Sequence, residues 1–225
     1  MILKNTIGKD GKHTQSAFRA VFDSLVSTIR ACGIDMTEWE SQANEYLRLA
    51  HSIAQTGLID KYKKSILDKC LRGASDLISC ESTNVHNNTM SMIQWCVRWS
   101  EKALETYYEV EQRLTEQRGG KPPTHRQICD ARDNNNKRYW TVEHEHPLII
   151  PKEGLMFEKW SFDQLSDWMF TYGSATIITQ AENKKLISFT RDMKEAKKRY
   201  SDASISVLIH PQYVKELTNA DVCVT

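Results

Sequence analysis

A chain of 225 residues with 40% hydrophobic content can bury a core, as one large domain or two small ones, without disulfide or metal staples. Its 30 Lys and Arg against 29 Asp and Glu leave a formal charge of +1, so attraction to nucleic acid or to an anionic membrane has to come from a local patch. The six cysteines (Cys32, Cys70, Cys80, Cys96, Cys129 and Cys223) form no C-x-x-C pair, which excludes a zinc ribbon and fits a reducing compartment. Met1 to Lys12 lacks the apolar stretch of a signal peptide, and no later run approaches the roughly eighteen apolar residues of a membrane span. The expectation is a cytoplasmic protein.

In chain order, Phe18, Val21, Phe22, Leu25 and Ile29 recur at helical spacing and predict an amphipathic helix from Thr14 to Cys32, with Gly33 as its C-terminal cap. A second helix begins at Asp35, with Glu38 completing a capping box, carries Trp39, Ala43, Tyr46, Leu47, Ala50 and Ile53, and stops before Gly57. A third covers about 60–78 and is weakened by Gly73. After a polar loop from Ser79 to Asn88, the longest periodic segment runs from Thr89 to Gln117 through Met92, Trp95, Trp99, Ala103, Tyr107, Val110 and Leu114. Four such helices would bury their stripes against one another.

Gly119-Gly120-Lys121-Pro122-Pro123 ends that helix. The chain therefore reads as an α+β protein: an N-terminal antiparallel helical bundle (1–118), a linker or loop (119–137), and a small mixed α/β domain (138–225). In the latter, Arg138 to Glu145 has strand composition, and Pro147 and Pro151 bracket an extended Leu148-Ile149-Ile150. A helix is expected from Phe162 to Tyr172 and a buried strand from Ala175 to Thr179. The capping box Thr179-x-x-Glu182 opens a basic helix ending near Tyr200, and Ile205 to Ile209 supplies a last strand.

The densest chemistry is Val142-Glu143-His144-Glu145-His146-Pro147. On a strand His144 and His146 share one face and Glu143 and Glu145 the other, so two imidazoles can approach one ion, or one can take a proton from water beside a carboxylate. A polar strand edge with satisfied histidines is the bland alternative. Glu143-His144-x-x-Pro147-Leu148 resembles the first motif of HNH, or His-Me finger, endonucleases. Thr179-x-x-Glu182-Asn183-Lys184-Lys185-Leu186 is similar to their closing strand and helix. The resemblance covers about Tyr139 to Leu186, and the middle Asn and the paired C-x-x-C motifs of many such domains have no counterpart. It implies a phosphodiesterase in which His144 is the catalytic base, Glu143 and Asn183 hold a divalent ion (Mg or Mn), and His146 is a spare metal ligand.

Between Asn183 and Tyr200 stand Lys184, Lys185, Arg191, Lys194, Lys197, Lys198 and Arg199 against Asp192 and Glu195, a helix able to lie along phosphates or simply to face water. Arg126, Arg132, Lys137 and Arg138 precede the His cluster, with Tyr139 and Trp140 available to stack on bases. His125 and Cys129 would suggest a thiol nucleophile if they met, but their spacing does not fix a distance. The leading expectation is a metal-dependent endonuclease acting on DNA or RNA, whose helical half positions substrate or self-associates, in the style of a phage or mobile-element protein. The runner-up is a non-enzymatic inhibitor or adaptor that binds a protein partner. A nuclease requires Glu143, His144 and Asn183 to converge; an adaptor requires an exposed apolar patch among Trp39, Trp95, Trp99 and Tyr107; a non-nucleolytic metal protein requires His144 and His146 to converge without a basic groove.

Overall fold

The computed structural model describes residues 37–85, 89–186 and 193–211. The helix expected over Thr14 to Cys32 lies outside them. Helix α1 (Glu38–Ala54) starts where Thr37 donates both its backbone N–H and its hydroxyl to Glu40, so the capping box is Thr37-x-x-Glu40 and not the pair two residues earlier. Helix α2 (Asp60–Cys80) follows a short loop, and Ala43, Leu47 and Ala50 meet Leu67, Leu71 and Ala74 in the core. Gly73 has a packing role: a Cβ there would stand 2.7 Å from the Tyr46 ring, so its missing side chain lets the two helices approach.

The segment expected as one helix from Thr89 to Gln117 is broken. Helix α3 (Thr89–Trp95) is followed by strand β1 (Arg98–Ser100) and then by α4 (Glu101–Gln117). The break has local causes. Ser100 is an N-cap whose hydroxyl accepts from the Ala103 amide, and the Val97 amide turns aside to the Ser79 carbonyl. Trp99 is fully buried as a strand residue, with its indole N–H on the Cys96 carbonyl and its ring edge-on to Tyr107 and Trp140.

Next come α5 (His125–Cys129), β2 (Trp140–His144), α6 (Ile149–Phe157), α7 (Phe162–Tyr172), β3 (Ala175–Thr179), α8 (Gln180–Lys185), α9 (Met193–Asp202) and β4 (Val207–Ile209). The extended piece expected between the prolines is the start of α6. Pro151 occupies its first turn, where a missing N–H leaves no helical bond unmade. The basic helix expected from Thr179 to Tyr200 stops at Lys185, because Leu186 is extended.

The described strands form one sheet in the order β2-β3-β1-β4. Strand β3 is antiparallel to β2 and parallel to β1, and β4 is antiparallel to β1. Every residue of β3 is buried: Ile177 joins the large helical cluster, and Ile178 packs with Leu186, Tyr200, Ala203 and Ile205 on the other face. The fold is α+β with the helices first, but the 119–137 stretch does not separate two cores. Strand β1 comes from before it and lies inside the sheet, and one cluster of buried side chains runs from Ala43 to Ile177. No described helix is long and apolar enough to cross a membrane.

One carboxylate joins two helix starts. Glu182 Oε2 accepts from the Thr179 amide (2.8 Å) and hydroxyl (2.9 Å), capping α8, and from the hydroxyl of Ser100 (2.8 Å), the cap of α4.

Gly73→Ala is expected to lower stability by about 1–3 kcal/mol through overpacking against Tyr46, although alanine alone would favour the helix by roughly 1 kcal/mol. Urea unfolding checks this, and a midpoint at or above wild type would mean that the ring steps aside.

Candidate functional site

The sheet presents different chemistry at the two ends of β2. Pairing runs from Trp140 opposite Thr179 to His144 opposite Ala175, so the His cluster emerges at one end and α8 starts at the other.

At the first end the cluster is committed to the fold. His144 Nε2 lies 2.7 Å from Ser75 Oγ, which is 2.5 Å from the Gly173 carbonyl. A carbonyl only accepts, so the serine proton goes to Gly173 and the imidazole Nε2–H donates to the serine. Burial, aided by the cations of Arg72 and Arg199, pushes the His144 imidazole down to about 4 and keeps it neutral at pH 7. Glu143 meets Arg199 at 2.6 Å, and the same guanidinium donates to the carbonyls of His144 (2.9 Å) and Glu145 (3.2 Å). Glu145 pairs with Arg98 at 3.2 Å, and His146 is buried against the Tyr172 ring. Beside Ser75, burial raises the Asp76 carboxyl to about 7 against the opposing pull of Arg72.

The residues expected to share an ion are therefore not brought together. Glu143 and His144 project to opposite faces, and Asn183 sits exposed on α8, beyond the far end of β2, four strand steps or roughly 13 Å away. This donor set does not fit a divalent ion: one carboxylate is neutralised by arginine and the imidazole N–H points at a serine. Among the described residues no three His, Cys, Asp or Glu side chains cluster as ligands would.

The aromatic residues named for an adaptor surface do not form an exposed patch. Trp99 and Tyr107 are buried, and Trp39 and Trp95 pack against the core. His125 and Cys129 do meet, with Nε2 3.4 Å from Sγ, but the imidazole is used twice more, by Tyr107 O–H at Nδ1 (2.9 Å) and by the Gln94 carbonyl at Nε2 (2.8 Å). The thiol is fully buried and burial pushes its pKa up, so it is not a thiolate.

The second end collects cations. The Gln180 amide donates to the Tyr139 carbonyl (3.2 Å) and its side-chain amide to the Trp140 carbonyl (3.3 Å), fixing α8 beside the start of β2. Lys184 and Lys185 are exposed one helical turn on, about 6 Å along the axis. Trp140 is not a stacking platform, since it is 1% exposed and its indole donates to the Ala103 carbonyl. Tyr139 is half-buried instead, with its hydroxyl held by Arg113, whose guanidinium stands 5.4 Å over the ring.

Ahead of β2, Arg132 and Arg138 bridge the ends of a tight turn. Asp133 is occupied inside it, accepting from the amides of Asn135 (2.9 Å) and Lys137 (2.8 Å). Between this turn, α4 and α5 lies an open groove of about 400 Å³. Leu114 and Ala131 line it with apolar surface, Gln117, Gln127 and Asn134 with amides, and Arg113 and Arg132 with positive charge. Asp130 is its carboxylate, 3.7 Å from Arg126. Sequence reading named Arg132 and Arg138 but missed Arg113 and the amides, because no motif links an α4 residue to a loop beyond two prolines. Of the expected basic helix, Lys198 is exposed on α9, beside the Arg199 that serves the opposite end. Arg191 lies outside the described residues, as do the side chains of Lys194 and Lys197.

No family model, curated protein or solved structure matches the chain.

Arg199→Ala leaves Glu143 and two carbonyls without their donor and is expected to cost about 3 kcal/mol in urea unfolding, against less than 1 kcal/mol for exposed Lys198→Ala; equal effects would mean that the bonds of Arg199 do not hold the fold. Three histidines set a pH dependence: burial holds the His125 imidazole below its ordinary value, as it does His144 and His210. His144 and His210 are both pushed down to about 4, so the unfolded chain takes up their protons first as pH falls below 6.5, and each withdraws up to about 3 kcal/mol between pH 6.5 and 4. Asp76, raised to about 7, acts with the opposite sign, favouring the fold as pH falls over a similar window. Stability should therefore climb with pH more steeply in Asp76→Asn than in wild type, and His144→Gln in that background should shed roughly a third to a half of the slope; an unchanged slope would contradict the neutral imidazole.

Proposed function

We propose that this protein binds the phosphate backbone of nucleic acid without cleaving it, through the end of the sheet where β2 begins. The observation that carries the reading is the anchoring of α8, which bears Lys184 and Lys185, beside the start of β2, which Arg132 and Arg138 precede. Hydrogen bonds from Gln180 to the Tyr139 and Trp140 carbonyls hold them together. A near-neutral chain gains no general attraction for polyanions, so a local group of cations has to supply it, and each contacted phosphate releases counterions. The His cluster serves the fold in this reading, which is why cleavage is left out: one nitrogen of His144 is taken up by Ser75, and Glu143, the carboxylate that would hold an ion beside it, is paired with Arg199.

Fluorescence anisotropy with labelled oligonucleotides tests this. At about 50 mM salt the full chain is expected to bind, with affinity falling steeply as salt rises. The double variant Arg132→Glu, Lys184→Glu should weaken binding by at least ~10-fold and flatten the salt dependence, while His144→Gln, at a pH where it is folded, leaves both unchanged. Absence of binding at low salt, or full affinity in the charge-reversal variant, would reject the reading. Magnesium- or manganese-dependent strand cutting abolished by His144→Gln would restore the nuclease expectation in its place.

A further inference from the structure

Resting on that reading, we infer that the groove between α4, α5 and the 132–138 turn receives an unstacked base, so that the ligand is single-stranded nucleic acid, with preference for bases bearing an exocyclic amino group. Shape is the first ground. Base edges of a duplex lie at the bottom of its grooves and are read by protruding helices or ribbons, whereas here the polar groups line a recess of about 400 Å³. A recess takes something that protrudes, and a single strand can splay a base outward.

The lining is the second ground. Leu114 and Ala131 offer apolar surface to a base face, and the guanidinium plane of Arg113 stands beside them. The amides of Gln117 and Asn134 match the mixed donors and acceptors of base edges, and Gln127, whose oxygen already accepts from the Thr124 amide and Arg118, adds donors. Asp130 is the third ground. A site built for phosphate alone has no use for a carboxylate among its arginines, but a carboxylate accepts from an exocyclic amino group such as that of cytosine. Arg126, 3.7 Å from Asp130, leaves the carboxylate room for a further donor.

Asp130→Asn separates the alternatives by sign. It is nearly isosteric and removes a negative charge, so a merely electrostatic groove should bind every strand more tightly. With the full chain, anisotropy titrations would compare oligo-dC, oligo-dT and a mixed-sequence duplex at one salt concentration. Oligo-dC is expected to bind at least ~10-fold more tightly than duplex and several-fold more tightly than oligo-dT, and Asp130→Asn, which keeps one acceptor oxygen but loses the charge and adds a donor suited to the thymine carbonyl, should weaken oligo-dC and narrow its lead without weakening oligo-dT. Asn134→Ala, on the exposed turn, should narrow the gap between single strand and duplex while leaving the salt dependence intact. Equal affinity for duplex and single strand, or tightening of both oligonucleotides by Asp130→Asn, would overturn the inference and leave backbone binding standing. Failure to bind any of the three would remove both.

Discussion

Strand β3 is the element on which the rest of the arrangement depends. It is buried on both faces and paired along both edges, with β2 antiparallel on one side and β1 parallel on the other. Because its register with β2 fixes Thr179 opposite Trp140 and Ala175 opposite His144, it also fixes which side chains are neighbours in space. The loop following α7 delivers Gly173 and Ser174 to the His end, and α8, starting directly after Thr179, delivers its lysines to the other. A slip of one residue would turn Ile177 and Ile178 to the wrong layers and move the partners at each end one step along the strand.

The His end illustrates how charge is tolerated in an interior. Arg199 is almost wholly enclosed, yet it meets one carboxylate and two carbonyls, so little of its charge goes uncompensated. The imidazole of His144, with two guanidinium groups nearby, stays neutral and bonds as a plain N–H donor. Histidine and glutamate beside each other in sequence thus have opposite states: one ionised and paired, the other uncharged. A strand's alternation sends them to different faces, and the faces decide.

Much of the helix and strand inventory was legible. Phe162 to Tyr172, Ala175 to Thr179 and the Thr179-Glu182 capping box follow from periodicity, β-branched content and cap chemistry, and they are found where those signals stand. The helix from Thr89 to Gln117 was misread because Trp95 and Trp99 keep helical spacing across a strand; Ser100 followed by Glu101 was the start signal that outranked it. The candidate site was less legible. A motif of adjacent residues says what chemistry is available but not what it faces, and Ser75, Arg199 and Gly173, which absorb that chemistry, are contributed by distant elements. The groove was hidden for the same reason: its walls come from α4, α5 and a turn, each unremarkable alone.

The carboxylate of Glu182 ties one of these walls to the helix that carries the exposed lysines. It caps α8, which carries Lys184 and Lys185, and accepts from the hydroxyl that caps α4, which carries Arg113. Neither helix can fray at its start without taking hydrogen bonds from the other, so the two open together as a single cooperative unit. The spacing between the exposed lysines of α8 and the rim of the groove is therefore referred to one oxygen atom in the interior, and both stand on a base that is held as a pair.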